Sequence, residues 1–509
     1  MTAAQSVDSR EPLEESGGAT AHSYGALALV LIALALRIVE YLHNKAIWLD
    51  EAHLALNILQ RGYAGLTERL DAGQGAPLMF LWAERFTANV LGPGEYSLRL
   101  LPLIASLASC VLLYALLRRT LPMRGLLMAL AIFALAVPVI RYASEVKAYA
   151  TDLAVALALY LMVLPLERRP LSPGYAALLA VCGAASVWCA FPATLVLAGL
   201  AAVLIVRAVG EKGMRSIAMA AAIAVAWTSS AAANYWLMLR HNTENAEVRT
   251  WWLDRFMPLP PTSPSDAYWF VRTYFEVFAE PMGLGAAGLG ALLFLFGVYT
   301  LWNTNRIRLA FLLAPIVSTL LASGMQVYPF MGRFLLFLVP LILIGIGEGW
   351  DFFAANARHR AVVVAAAAVL LVQPAAGALK GAMQGGGDGV RPVFDHVAQH
   401  FAEGDKLYVY CWAVPTFHYY ELKSGVDYPK VDGQSSRADW PGYVREIAPL
   451  RGNSRVWVVL TNTPRQLVGQ EDKFILTHLD TIGRRSGERV FAESSVYLYD
   501  LRGPSDHGG

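Results

Sequence analysis

Charged side chains are scarce in this chain: only 16% of its 509 residues are Asp, Glu, Lys or Arg, against 56% hydrophobic. That balance is too apolar for an average soluble globular protein, and lipid is the solvent it suits. A dominant charge of either sign is missing too. The 41 Lys and Arg stand against 39 Asp and Glu, a formal +2, which leaves no footprint for nucleic acid and no acidic tail. Cysteine is rare: Cys110, Cys182 and Cys189 fall in apolar stretches and Cys411 stands alone in a later polar region, so no disulfide is expected. Nucleotide fingerprints are lacking, since no strand feeds the Gly385-Gly386-Gly387 run and no Lys-Ser/Thr ending follows it. Residues 1–22 lack the basic start and cleavage site of a secretory signal and read as a disordered cytoplasmic tail.

What the chain does hold is a series of apolar stretches between residues 25 and 380. A bilayer core about 30 Å thick needs roughly 20 apolar residues per helix, and about eleven stretches qualify. They centre near Leu31, Leu107, Phe133, Ala156, Cys182, Val203, Ala224, Leu292, Ile316, Leu341 and Val369. Arg118, Arg119, Arg124, Arg168, Arg169, Arg207, Lys212, Arg215, Arg306, Arg308, Arg358 and Arg360 gather in alternate short turns, which by the positive-inside rule are cytoplasmic. The other side receives the long segments 43–98 and 236–283 and everything after about residue 381.

The expected architecture is therefore an α-helical polytopic membrane protein of the cell (plasma or inner) membrane, with its N-terminus cytoplasmic. Its membrane domain spans 23–380, 381–390 forms a linker, and 391–509 forms a small extracytoplasmic α/β domain. In that last part Lys406–Cys411, Arg455–Leu460 and Ser495–Tyr499 read as strands and Val393–Phe401 as a helix.

Three polar clusters lie on the side expected to be external. The first, Trp48-Leu49-Asp50-Glu51, directly follows the first span and leads into Leu54, Ala55, Ile58 and Leu59 at helical spacing. Two carboxylates at the headgroup boundary are costly and suggest chemistry; equally, Asp50 could simply cap an interfacial helix. His53 could complete a metal pair with Asp50 on one helix face, or be an ordinary solvated histidine. The second cluster, Arg141 to Asp152, contains Glu145, Lys147 and Tyr149; its bland reading is an ion-paired interfacial turn. The third, Tyr328-Pro329-Phe330-Met331-Gly332-Arg333, sets an arginine against the positive-inside pattern. Guanidinium grips phosphate bidentately, but it also snorkels to interfaces. Trp251, Trp252 and Trp269, in the loop 236–283, read as interfacial anchors.

These motifs, together with Gly75-Ala76-Pro77-Leu78 and Tyr96-Ser97-Leu98-Arg99-Leu100-Leu101-Pro102, resemble the family that includes protein O-mannosyltransferases and lipid A aminoarabinose transferases. These are glycosyltransferases of the GT-C fold, glycosyltransferase family 39 among them. The likeness covers most of the membrane region and is strongest in the first 150 residues. It implies Asp50 as catalytic carboxylate, Glu51 as its site-shaping neighbour, Glu145 as a second acidic group, and Lys147, Arg333 and Tyr328 as partners of a donor phosphate. Ala76 stands where the family often has His or Pro, which weakens any metal assignment in that loop. No metal ligand is assigned and no cofactor is certain, although a divalent cation is compatible with the site.

The implied reaction is inverting transfer of a sugar from a polyprenyl-phosphate carrier to an extracytoplasmic protein, lipid or glycan. Asp50 would act as general base, and the cations would stabilise the departing phosphate. Rival readings are a flippase or transporter of lipid-linked sugars and a polysaccharide polymerase. Transporters bury charge near the midplane in repeated halves, whereas these clusters sit at helix ends and no internal repeat is visible.

Overall fold

The computed structural model describes residues 14–240, 253–385, 387, 389–434, 439–461 and 471–503, with side chains from residue 24 onward. Trp251 and Trp252 lie outside them, as do residues 1–13 of the expected tail; residues 14–22 are backbone of the first helix.

Helices account for nearly the whole membrane region. In chain order they are α1 (Glu14–Leu42), α2 (Leu49–Gln60), α3 (Leu78–Leu91), α4 (Glu95–Thr120), α5 (Met123–Leu135), α6 (Val137–Arg141), α7 (Tyr149–Val163), α8 (Pro173–Cys189), α9 (Ala193–Gly210), α10 (Met214–Asn234), α11 (Pro264–Ala279), α12 (Ala287–Thr304), α13 (Arg306–Gly324), α14 (Val339–Asn356) and α15 (Arg360–Gln384). Among the described residues nine helices are long and apolar enough to span a bilayer, ten if α5 and α6, bent by 56°, count as one; α8 is apolar but shorter. Each of the eleven centres read from the sequence falls in one of these helices. This is a multi-pass membrane protein.

Helix packing here relies on glycine, because apolar side chains gain nothing from leaving lipid and close backbone approach supplies the attraction instead. The central helix α14 is buried from Val339 through Trp350. Its Gly345, Gly347 and Gly349 form the contact surface. A Cβ on Gly349 would lie 1.8 Å from the carbonyl oxygen of Leu293 in α12, and one on Gly297 of α12 would lie 1.9 Å from that of Gly345. On the other side, a Cβ on Gly125 of α5 would lie 2.4 Å from the carbonyl oxygen of Gly347. At one end of this bundle Arg308 joins three turns, meeting Glu167 at 3.0 Å, Glu348 at 3.3 Å and the carbonyl of Thr120 at 2.6 Å. The opposite end carries α2, α3 and α11, none of which spans the bundle.

The C-terminal part is an α/β unit. Helices α16 (Arg391–His400), α17 (Val414–Ser424), α18 (Trp440–Ile447) and α19 (Glu471–Ile482) accompany β1 (Lys406–Val409), β2 (Lys430–Asp432), β3 (Val456–Thr461), β4 (Arg484–Val490) and β5 (Ser494–Asp500). The strand order is β2-β1-β3-β5-β4, parallel across β2, β1 and β3 and antiparallel thereafter. This unit is not free-standing. Ile47, Leu54, Ile58, Phe80 and Leu98 of the segment 43–98 share one buried cluster with Phe394, Phe417, Tyr420 and Trp457.

Candidate functional site

The three polar clusters meet at the end of the bundle that carries α2. Helix α2 begins one residue before Asp50: Trp48, in an extended conformation, is the N-cap, and the Glu51 carboxylate takes the Trp48 N–H at 3.4 Å. Asp50 is thus a first-turn helical residue rather than the cap, and its carboxylate turns to other partners. Lys147 Nζ donates to Asp50 Oδ1 at 2.9 Å and to Gln74 Oε1 at 2.6 Å, and Arg333 Nη2 stands 3.2 Å from Asp50 Oδ2. Burial raises the Asp50 pKa, but Lys147 and then Arg333 outweigh it and hold the carboxyl below its ordinary value.

Glu51 faces the other way and is 1% exposed. Arg99, in the first turns of α4, grips it with Nε at 2.9 Å and Nη2 at 2.6 Å, and the backbone N–H of Val146 donates to it at 2.7 Å. With every approach to it filled, Glu51 ties the start of α2 to α4 and to the 145–148 turn.

Glu145 completes the bridge. Its Oε1 accepts from Trp48 Nε1 at 3.1 Å and lies 3.5 Å from Arg141 Nη2, while its buried Oε2 has no hydrogen-bond partner among the described residues. Burial first, and the negative charge of Glu51 second, push its pKa up to about 7 despite Arg141 and Arg333. Arg333 itself lies over the Tyr149 ring, 5.5 Å from the centroid, and 5.6 Å from that of Phe334. The Tyr328 hydroxyl donates to the Phe334 carbonyl at 2.9 Å, so this phenol braces the Arg333 turn instead of reaching Asp50.

The structure therefore brings together Asp50, Glu145, Lys147 and Arg333, sets Glu51 behind them and leaves Tyr328 in support. His53, half-buried one turn after Asp50, has its pKa lowered by burial in spite of Asp50. No group of three or more His, Cys, Asp and Glu among the described residues is placed to hold a metal. Three participants were assigned no role from the sequence. Gln74 is a neutral amide in a loop, while Arg99 and Trp48 lie inside quoted motifs that assign neither of them a role. The charge of Arg99 inside the Tyr96–Pro102 motif was the one clue available.

Glu84, on α3, is a separate oddity. It is fully buried, neither carboxyl oxygen has a partner among the described residues, and burial together with Glu51 raises its pKa well above the ordinary range.

Comparison with known proteins bears on this arrangement. Residues 75–251 match the family model described as dolichyl-phosphate-mannose-protein mannosyltransferase. No curated protein sequence matches the chain. Among solved structures, ArnT from Cupriavidus metallidurans bound to undecaprenyl phosphate is similar at a TM-score of 0.57 and 14% identity, over 93% of this chain and 97% of that one. Its apo state gives 0.52 at 14% identity, over 96% and 98%. An Archaeoglobus fulgidus oligosaccharyltransferase, in complex with Zn and sulfate, gives 0.52 at 10% identity, over 94% and 73%. The fold is GT-C.

Proposed function

We propose that this chain is a glycosyltransferase that moves a sugar from a polyprenyl-phosphate carrier to a hydroxyl or amine acceptor by a single inverting displacement. The observation that carries the reading is the convergence of Lys147 and Arg333 on Asp50 at one edge of a membrane bundle. A carboxylate alone at that edge would suit helix capping; two cations beside it form a receptor for a phosphate whose isoprenoid tail lies among the helices. The match to the mannosyltransferase model and the fold shared with an undecaprenyl-phosphate-bound protein support the same donor class.

The geometry suggests a sequence of events. Before the donor arrives, the two cations neutralise Asp50 and make it a weak base. An incoming phosphate competes for them, and each contact it takes relieves Asp50 and raises its basicity. Asp50 then removes the acceptor proton as the acceptor attacks the anomeric carbon, and the lipid phosphate departs onto Lys147 and Arg333. Glu145 is a second acidic group in the same cluster, Glu51 positions α2, and Tyr328 braces the Arg333 turn. A divalent cation would have to displace Lys147 or Arg333 from Asp50, so the reading gives the cationic work to those two side chains.

The site face is extracytoplasmic on this reading, because the arginine-rich turns gather at the other end, around Arg308. The test is transfer of radiolabelled sugar from polyprenyl-phosphate donors in membranes holding wild type or Asp50→Asn. Removing a positioned general base costs about 10²- to 10⁴-fold, so labelling should collapse in the variant at equal expression. Full activity in Asp50→Asn would return this carboxylate to a purely structural role.

A further inference from the structure

The segment from His43 to Trp48 is a strap joining α1 to α2, and Asp50 follows it by two residues. A strap this short sets the carboxylate's position, so the question is what holds the strap. It turns sharply at Asn44, whose φ is 45°, a left-handed conformation that Asn tolerates better than most residues. Its backbone groups then find partners on two bodies. Arg99 of α4 donates to the carbonyls of Lys45 at 2.5 Å and Ala46 at 3.3 Å. The C-terminal unit supplies two more: Arg391 of α16 donates to the Asn44 carbonyl at 2.8 Å, and the Tyr420 hydroxyl of α17 accepts from the Ile47 N–H at 3.2 Å.

These two residues are themselves anchored. Arg391 Nε reaches the Tyr420 hydroxyl at 3.4 Å, and its Nη2 meets Glu95, 2% exposed, at 3.0 Å. Lys423 donates to the other Glu95 oxygen at 2.5 Å. Ile47 is wholly buried, so its N–H has no water to fall back on if Tyr420 lets go.

We infer that the C-terminal unit is part of the site: Tyr420 and Arg391 are positioning residues that hold the 44–48 strap and thereby aim Asp50 at the acceptor. The inference rests on the transferase reading for its kinetic consequence, but its structural content stands apart from it. Neither residue touches the reacting atoms. Their effect belongs to the turnover step, since the phosphate-binding Lys147 and Arg333 come from other segments.

The test compares Tyr420→Phe with Tyr419→Phe in the full chain in lipid nanodiscs. Tyr419 is the adjacent phenol, and its hydroxyl donates to the Pro93 carbonyl at 2.9 Å, at the far flank of the same loop. Tyr419→Phe loses this one hydrogen bond and Tyr420→Phe loses two, from Ile47 and Arg391, at the same interface, so the variants share any general loosening. Amide hydrogen exchange across 44–52, read without substrate, should quicken in Tyr420→Phe and not in Tyr419→Phe. In the transfer assay Tyr420→Phe should lower kcat by on the order of 10- to 100-fold, as small misplacements of a reacting group do, while KM for the lipid donor holds.

Unchanged exchange in Tyr420→Phe, or equal kcat losses in the two variants, would overturn the inference. If wild type transfers no sugar, the proposed function fails while the exchange comparison still decides whether Tyr420 holds the strap.

Discussion

The Lys147 ammonium is divided between Asp50 Oδ1 at 2.9 Å and Gln74 Oε1 at 2.6 Å, so a charged and a neutral acceptor share one cation. Lys147 is nearly buried; burial lowers its pKa, and Asp50 acts in the opposite direction. An ammonium placed this way can move from carboxylate to phosphate without leaving its socket, because Gln74 still holds it.

Replacing Lys147 by Met or Arg333 by Met should therefore weaken the use of lipid donor. A hydrogen bond to a charged group contributes about 1.5–3 kcal/mol, so kcat/KM should fall roughly 10- to 100-fold in each variant. Arg333→Lys should recover only part of the loss, because an ammonium lacks the planar fork. Steady-state kinetics against donor concentration checks both points; wild-type kcat/KM in Arg333→Met would remove this arginine from the phosphate site.

The Glu145 carboxyl gives a pH dependence of known sign. Its folded pKa is raised from 4.5 to about 7, so between those values the folded protein holds a proton that the unfolded chain has lost. That contribution to stability is fully present below the unfolded pKa and is lost as pH rises through the folded one. Glu84, also raised, acts with the same sign. Thermal unfolding of the purified protein should show stability falling between about pH 4.5 and about 7, with a shallower slope in Glu145→Gln. An identical slope in that variant would assign the dependence to other groups.

Arg99 and Glu51 form an ion pair at 2.6 Å whose side chains are 3% and 1% exposed. Removing one partner strands a buried charge, at a cost of about 3–5 kcal/mol. Arg99→Met should lower the unfolding midpoint sharply, and the double variant Arg99→Met, Glu51→Leu should regain part of the loss. A double variant no better than the single one would point to lost packing instead of a stranded charge.

At the contact of α12 and α14, Gly349→Ala would press a methyl group against the Leu293 backbone, where no flexible side chain can give way. Overpacking of this kind costs about 1–3 kcal/mol. Gly381→Ala, on α15, where a Cβ meets nothing within 4 Å, is the control. Detergent stability of the two variants, measured side by side, should separate them clearly.

Much of this was legible in the chain itself, for identifiable physical reasons. Charge at the edge of an apolar span stands out, so Asp50, Glu145, Lys147 and Arg333 could be singled out, and all four lie in one cluster. Spans were readable from length and composition, because a bilayer imposes both. Other features had no local signature. Strand β4 (Arg484–Val490) is a largely exposed polar edge strand without alternating apolar residues, and β2 has only three residues. The N-cap role of Trp48 was hidden because the residue types expected at a cap, Asp above all, lay two positions later. The shared core of Phe80, Phe394 and Trp457 joins residues hundreds of positions apart, which no periodicity can reveal.

The bond from the Ile47 N–H to the Tyr420 hydroxyl spans 373 residues of chain. During synthesis the strap and Asp50 emerge long before the helix that completes their surroundings. Until α16 and α17 have been made and have docked, the strap lacks its bonds to Arg391 and Tyr420. On the proposed reading, a chain halted after α15 would carry Asp50, Lys147 and Arg333 and still lack the two residues inferred to aim the carboxylate, so competence for turnover would arrive in one late step.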